Sequence, residues 1–247
     1  MTRAWIGNDI VDLAEPGVAG KEQDRRFMDR VFTPEERARI LGAAAPTLAL
    51  WKTWAAKEAA YKIACKIYDK VVFAHRAFEV EPGGAADALG HWAQVRFDSL
   101  DIRVRWETAR EYVHCVGQLV RPSAGDVAGV ASGPALAGGA GTAGLSAAPR
   151  ALRQVFSDIV HHGQVIGGTL TVAEQASVHS TASARARLVA RRLIERWELQ
   201  GTEVLRQWRD WGWSPPVVAS LGEPVAGFDV SLSHDGRFVA ATVAGPV

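Results

Sequence analysis

A thirty-residue stretch in the middle of the chain sets the limits on what it can fold into. Residues 121–150 read RPSAGDVAGVASGPALAGGAGTAGLSAAPR, with seven glycines, nine alanines and no aromatic residue. Side chains this small bury too little apolar surface to offset the entropy of ordering the backbone. The stretch therefore reads as a flexible linker. It divides the 247 residues into a first piece, 1–120, and a second, 151–247. Each is of the size of a small domain, about 50–200 residues. Cys65 and Cys115, the two cysteines, show neither CxxC spacing nor a histidine partner pattern. They read as reduced core thiols rather than a disulfide or zinc framework.

Several function classes drop out on composition. No run of 18 apolar residues occurs, so no membrane-spanning helix is expected. The opening MTRAWIGNDIVDL lacks a basic segment followed by a long apolar core, so no secretory signal is expected and the protein reads as cytoplasmic. The net charge is +1, too small for non-specific nucleic-acid binding. All six lysines fall within the first 70 residues, and the rest of the chain uses arginine alone. An anionic ligand would have to be met by local clusters.

Hydrophobic periodicity supplies the elements. Ala4 to Val11 reads as a strand, Arg25 to Phe32 as a helix and Thr47 to Ile67 as a longer one. Thr33, Pro34 and Glu36 form a capping box with proline at the first helical position. Strands follow at 77–80, 93–97, 102–106 and 112–119. In the middle two, Val95, Phe97, Ile102, Val104 and Trp106 alternate with polar neighbours, as in half-buried antiparallel strands. The second piece shows a helix from about Ser183 to Leu199, then two β-rich runs, 228–232 and 238–243, flanking the turn pair Asp235-Gly236. Helices followed by antiparallel strands, twice over, make the expected class α+β.

Four groups of residues have chemistry to offer, and each has a plain structural alternative. Glu58 and Lys62 share a helix face, as ordinary surface pairs also do. Asp9 and Asp12 stand at the end of an apolar strand, where carboxylates either ligate a hard cation or cap the next segment. Ser233-His234 ends a strand before a tight turn, where the imidazole either donates to a phosphate or is simply exposed. Arg185, Arg187, Arg191, Arg192 and Arg196 crowd one helix, which either cradles an anion or solvates a face. No Walker loop, GxGxxG, GxSxG or HExxH occurs.

Together these segments resemble the 4′-phosphopantetheinyl transferase superfamily. The resemblance rests on GNDIVDL, RxFTPEE, WAAKEAAYK and SLSHDGRFVAATV, which correspond to the family's G-x-D-[IV] strand end, W-x-x-K-E-x-x-x-K helix and S-H strand end. It covers residues 4–67 well, 77–119 by pattern and 183–245 moderately. Long members of that family are pseudo-dimers of two similar subdomains with the site between them, and usually carry the S-H motif in the first half. Here the order is reversed, which suggests exchanged halves; short members also carry S-H last. The resemblance implies an α+β pseudo-dimer, monomeric as a chain. It implies transfer of the phosphopantetheine arm of coenzyme A to a serine of an acyl or peptidyl carrier protein, releasing adenosine 3′,5′-bisphosphate. It further implies Mg²⁺ on Asp9 and Glu58, Glu58 as base, and Lys62 on a phosphate with Lys57 as a further candidate. Ser233 and His234 would reach the pyrophosphate, and Arg185 and Arg192 the 3′-phosphate. Two positions depart from the pattern. Val11 stands where long members place a third acidic ligand, and Glu223 makes GEP of the usual GKP. A coenzyme A- or carrier-binding protein of the same fold, without turnover, is the alternative these departures motivate.

Overall fold

The computed structural model describes residues 3–83, 92–121, 154–210 and 212–246. Apart from Arg121, the expected linker 121–150 lies outside the described residues. In the first half, β1 (Arg3–Asp12) is followed by α1 (Arg25–Val31), α2 (Pro34–Leu41) and α3 (Pro46–Ile67). Then come β2 (Glu79–Pro82), β3 (Trp92–Phe97), β4 (Leu100–Thr108) and β5 (Tyr112–Arg121). The five strands form one antiparallel sheet in the order β1-β5-β4-β3-β2. On β4, Leu100, Ile102 and Val104 are buried while Asp101 and Arg103 are exposed, as the alternation requires. The inner face packs on α3 through Ala55, Ala56, Ala59, Ala60 and Ile63. Small residues on the helix let it lie close. A Cβ added to Gly7 of β1 would stand 2.0 Å from the Ala59 carbonyl oxygen, so only glycine fits that crossing.

The second half repeats this plan. Its elements are β6 (Gln154–His161), α4 (Val172–Gln175), α5 (Thr181–Ile194), β7 (Thr202–Leu205) and the small hairpin of β8 (Trp208–Arg209) and β9 (Gly212–Trp213). They continue with β10 (Val217–Ser220), β11 (Glu223–Pro224), β12 (Asp229–Asp235) and β13 (Phe238–Gly245). The strands pair as β12-β13-β6 and β11-β10-β7. Laid end to end, β6-β13-β12 and β10-β7 reproduce the first sheet, opened between its third and fourth strands. The α5 helix ends at Ile194, short of the expected Leu199. Glu198 takes a left-handed φ of 58°, and Trp197 folds back onto Phe156 and Phe228. In the exposed GEP segment Gly222 belongs to the turn after β10, and Glu223 and Pro224 form β11.

Both halves carry the same polar device. Thr33 and Glu36 form the expected capping box at the start of α2; Glu36 Oε1 also accepts the Val80 amide of β2 at 2.8 Å, and Oε2 pairs with Lys57 of α3 at 2.8 Å. In the second half Thr171 and Glu174 form the same box. Glu174 accepts the Val204 amide of β7 at 2.9 Å and pairs with Arg191 of α5 at 3.3 Å. The same glutamate thus ties a helix start, a strand and the long helix together in each half. It is buried both times, where three partners are needed to offset its desolvation.

The halves join through β1 and β12, which run parallel without pairing as backbone. The outward amides of β1 are instead met by alternate side chains of β12. Ile6 N donates to Asp229 Oδ2 at 2.7 Å and Asn8 N to Ser231 Oγ at 2.9 Å. Ile10 N donates to Ser233 Oγ at 2.8 Å and Asp12 N to Asp235 Oδ2 at 2.8 Å. The carbonyls of the same edge are taken by α3: Lys66 Nζ donates to Ile6 O and Lys62 Nζ to Asn8 O, each at 2.7 Å. Four helical residues rise about 6 Å and two strand residues about 6.7 Å, so an i, i+4 lysine pair matches alternate carbonyls. Arg237 completes the joint with bidentate bonds to Asp12 at 2.8 Å, which hold that carboxyl far below its ordinary range.

Candidate active site

The geometry of β1 against α3 places the first group of side chains. Gly7, Asp9 and Val11 share one face of β1 because strand side chains alternate. Gly7 admits α3, and Asp9 then meets the helix face that carries Glu58 and Lys62. Lys62 Nζ contacts Asp9 Oδ1 at 3.1 Å. From the other half, buried Ser233 accepts the Ile10 amide and donates to Asp9 Oδ1 at 3.3 Å. Asp9, Glu58, His234 and Asp235 line one cleft of about 450 Å³, walled on one side by Trp51 and Trp54. Phe27 stacks on Trp54, and Trp51 donates to the Val18 carbonyl, so the wall is held from behind.

The electrostatics of the cleft follow from crowding carboxylates out of water. Burial pushes the Glu58 carboxyl up to about 7, and the charge on Asp9 adds to that shift. Burial also raises Asp9, against the opposing pull of Lys62. Desolvation and the neighbouring His179 lower the His234 imidazole, leaving it a neutral N–H donor more of the time. Among the described residues no three His, Cys, Asp or Glu side chains cluster as a metal site. The protein offers the pair Asp9 and Glu58, two hard oxygen donors whose mutual repulsion a divalent cation would relieve. That donor set fits Mg²⁺, which commonly takes one or two carboxylates and completes its shell with water and phosphate.

Five of the residues singled out in the sequence therefore converge: Asp9, Glu58, Lys62, Ser233 and His234. Three do not. Lys57 is fully buried, with its ammonium bonded to Glu36 and to the carbonyls of His75 and Phe78. Adjacent helical residues point about 100° apart, so Glu58 facing the cleft turns Lys57 into the core. Arg192 is exposed and paired with Asp158 of β6. Arg185 is bound to the carbonyls of Gln164, at 2.6 Å, and His161, which ties down the loop after β6. Two residues at or near the cleft carried no separable signal. Asp235, which lines it, read only as a turn residue, and His179, whose ring centroid lies 6.0 Å from that of His234, read as nothing in particular.

The second half holds the counterpart of the carboxylate pair. Asp9-Ile10-Val11 of β1 and Asp158-Ile159-Val160 of β6 occupy matching places opposite β5 and β13. With Lys57 matched to Arg191, Glu58 is matched to Arg192. Where the first half presents two carboxylates, the second presents a closed ion pair.

Residues 6–116 match the family model of the 4′-phosphopantetheinyl transferase superfamily. No curated protein matches the chain. Among solved structures, the chain is similar to the holo-[acyl-carrier-protein] synthase of Neisseria meningitidis. The two are 20% identical over 48% of this chain and 98% of that one, with a TM-score of 0.35. The ACPS–CoA complex of Chronobacterium ammoniagenes is 21% identical over 48% and 97%, with a TM-score of 0.35. The holo-ACP-synthase of Plasmodium yoelii is 18% identical over 50% and 99%, with a TM-score of 0.36. Residues 6–116 are similar to the 4′-phosphopantetheinyl transferase superfamily, and residues 117–247 lie outside that match.

Proposed function

We propose that the protein transfers the 4′-phosphopantetheine arm of coenzyme A to a serine hydroxyl of an apo acyl or peptidyl carrier protein, releasing adenosine 3′,5′-bisphosphate. The observation that carries this reading is the meeting, in one cleft, of Asp9 and Glu58 from one half with His234 from the other. In this reading residues 1–120 and 151–247 are two units joined by a linker at 121–150, and the site belongs to neither alone.

The roles follow from the chemistry of each group. Asp9 and Glu58 would hold Mg²⁺, which when bound offsets the negative charge of the pyrophosphate. Glu58 accepts the proton of the attacking serine hydroxyl as an ionised carboxylate. The hydroxyl oxygen forms its bond to the β-phosphorus while the phosphoanhydride bond breaks, and the electron pair leaves on the bisphosphate product. Lys62 has three N–H donors. Two are spent on Asn8 O and Asp9, and the third would serve a phosphate oxygen. His234 donates to the diphosphate from the opposite wall. Ser233 acts on Asp9 and the Ile10 amide and holds the two walls in register.

The experiment is mass spectrometry of apo carrier proteins incubated with the protein, Mg²⁺ and coenzyme A. The expected result is a carrier heavier by the phosphopantetheine arm. Coenzyme A binding by calorimetry with no loaded carrier across fatty-acid, polyketide and peptide carriers would overturn the transferase reading in favour of a binding protein.

A further inference from the structure

His234, which lines the cleft, has further imidazoles of the second half close by. His234 ends β12. His179 stands just before Ser180, the N-cap of α5, and its ring centroid lies 6.0 Å from that of His234 with the planes tilted by 46°. His162, at the end of β6, lies close enough to both His234 and Arg185 for their charges to be felt. Neither the His179 nor the His234 ring has a hydrogen-bond partner among the described residues, and both are exposed. The charged groups that act on His234 are Lys62 on the positive side and Asp235 on the negative, while Arg185 acts on His162. Two neighbouring imidazoles without hydrogen-bond partners are placed for an oxyanion, since a phosphate presents several acceptor oxygens to separate donors.

The separation suits that ligand. A donor nitrogen lies about 1.1 Å from its ring centroid and takes a phosphate oxygen at about 2.8 Å. Two rings with centroids 6.0 Å apart leave no room for a phosphate between them, but both can reach different oxygens of one phosphate seated to one side of the pair. Arg192, the other sequence candidate for such a contact, is committed to Asp158.

We propose that His179 is a phosphate-binding residue of the site, acting with His234 on a phosphate group of coenzyme A. The proposal rests on the transferase reading, since it takes coenzyme A as the ligand. Calorimetry of coenzyme A with wild-type protein and with His179→Ala tests it, with a thermal melt to show that the exposed substitution leaves the fold intact. The expected result is binding weakened about tenfold, the loss for one hydrogen bond to a charged group, and recovered in His179→Arg. Equal affinity of wild type and His179→Ala would overturn the proposal while leaving the transferase reading in place. Wild-type protein that fails to bind coenzyme A would overturn both. Repeating the titration with 3′-dephospho-coenzyme A identifies the phosphate. If the two proteins then bind equally, His179 serves the 3′-phosphate; if the difference persists, it serves the pyrophosphate.

Discussion

Arg192 forms an ion pair with Asp158 at the place in the second half where Glu58 faces Asp9 in the first. One duplicated framework therefore presents an open carboxylate pair on one side and a neutralised pair on the other. The two aspartates should respond in opposite ways to the same substitution. Asp9→Asn should abolish phosphopantetheine transfer. Asp158→Asn should leave transfer at the wild-type rate and change stability by less than about 1 kcal/mol, as for an exposed pair. Parallel rate and melting measurements on the two variants check this.

Glu58→Gln keeps the shape of the side chain and removes the base. The turnover number should fall about a hundred- to ten-thousand-fold, the range for a lost general base. The melting temperature should not fall, because the change takes away a charge that opposes Asp9. A variant that melts early would move Glu58 from chemistry to structure.

Lys57 lies next to Glu58 in sequence, and the opposite result is expected. Lys57→Met leaves Glu36 buried without its cation and should cost about 3–5 kcal/mol. The KM for coenzyme A of the protein that remains folded should be unchanged. Denaturant titration with steady-state kinetics separates this from a phosphate contact, which would raise KM and spare stability.

Ser231 offers a test of the joint. Ser231→Ala leaves the buried Asn8 amide without an acceptor, at a cost of about 1–3 kcal/mol. The equilibrium unfolding midpoint reads it directly.

His114 governs the acid limb of stability. It is fully buried beside Asn8, and burial lowers its imidazole from 6.5 to about 3. The unfolded chain takes up a proton below pH 6.5 that the folded chain refuses until about pH 3. This contribution is therefore full above pH 6.5 and is lost progressively as the pH falls toward 3. In His114→Gln the melting temperature should fall less steeply across that window.

Much of the first half was legible in its sequence, because local chemistry dictated it. Thr33, Pro34 and Glu36 announced a helix start, alternation announced β3 and β4, and Glu58 with Lys62 announced a helix face. The second half was harder. Strands as short as β7 and β10 carry too few alternations to stand out, and Trp197 ended α5 by packing in tertiary contacts that periodicity does not see. The Asp-Ile-Val and Thr-x-x-Glu strings at 9–11 and 158–160 and at 33–36 and 171–174 are too short to stand out as repeats, and only their matching places in the two sheets and helix starts relate them. Lys57 was misplaced because a motif gives spacing without rotation. Its burial follows from which helix face Gly7 admits. His179 was illegible because its partner, His234, arrives from a distant strand.

The ladder of β12 side chains on β1 amides also works as an indexing stop. Only every second residue of β12 presents an acceptor, and the residues between, Val230, Leu232 and His234, offer no carboxylate or hydroxyl. A slip by one residue would set valine and leucine against buried amides. The two halves can therefore engage only in steps of two residues, and the two aspartates at the ends of the D-x-S-x-S-x-D comb remove all but one of those steps. The placement of His234 opposite Asp9 is thus set digitally by the comb, independently of the order in which the chain connects the halves.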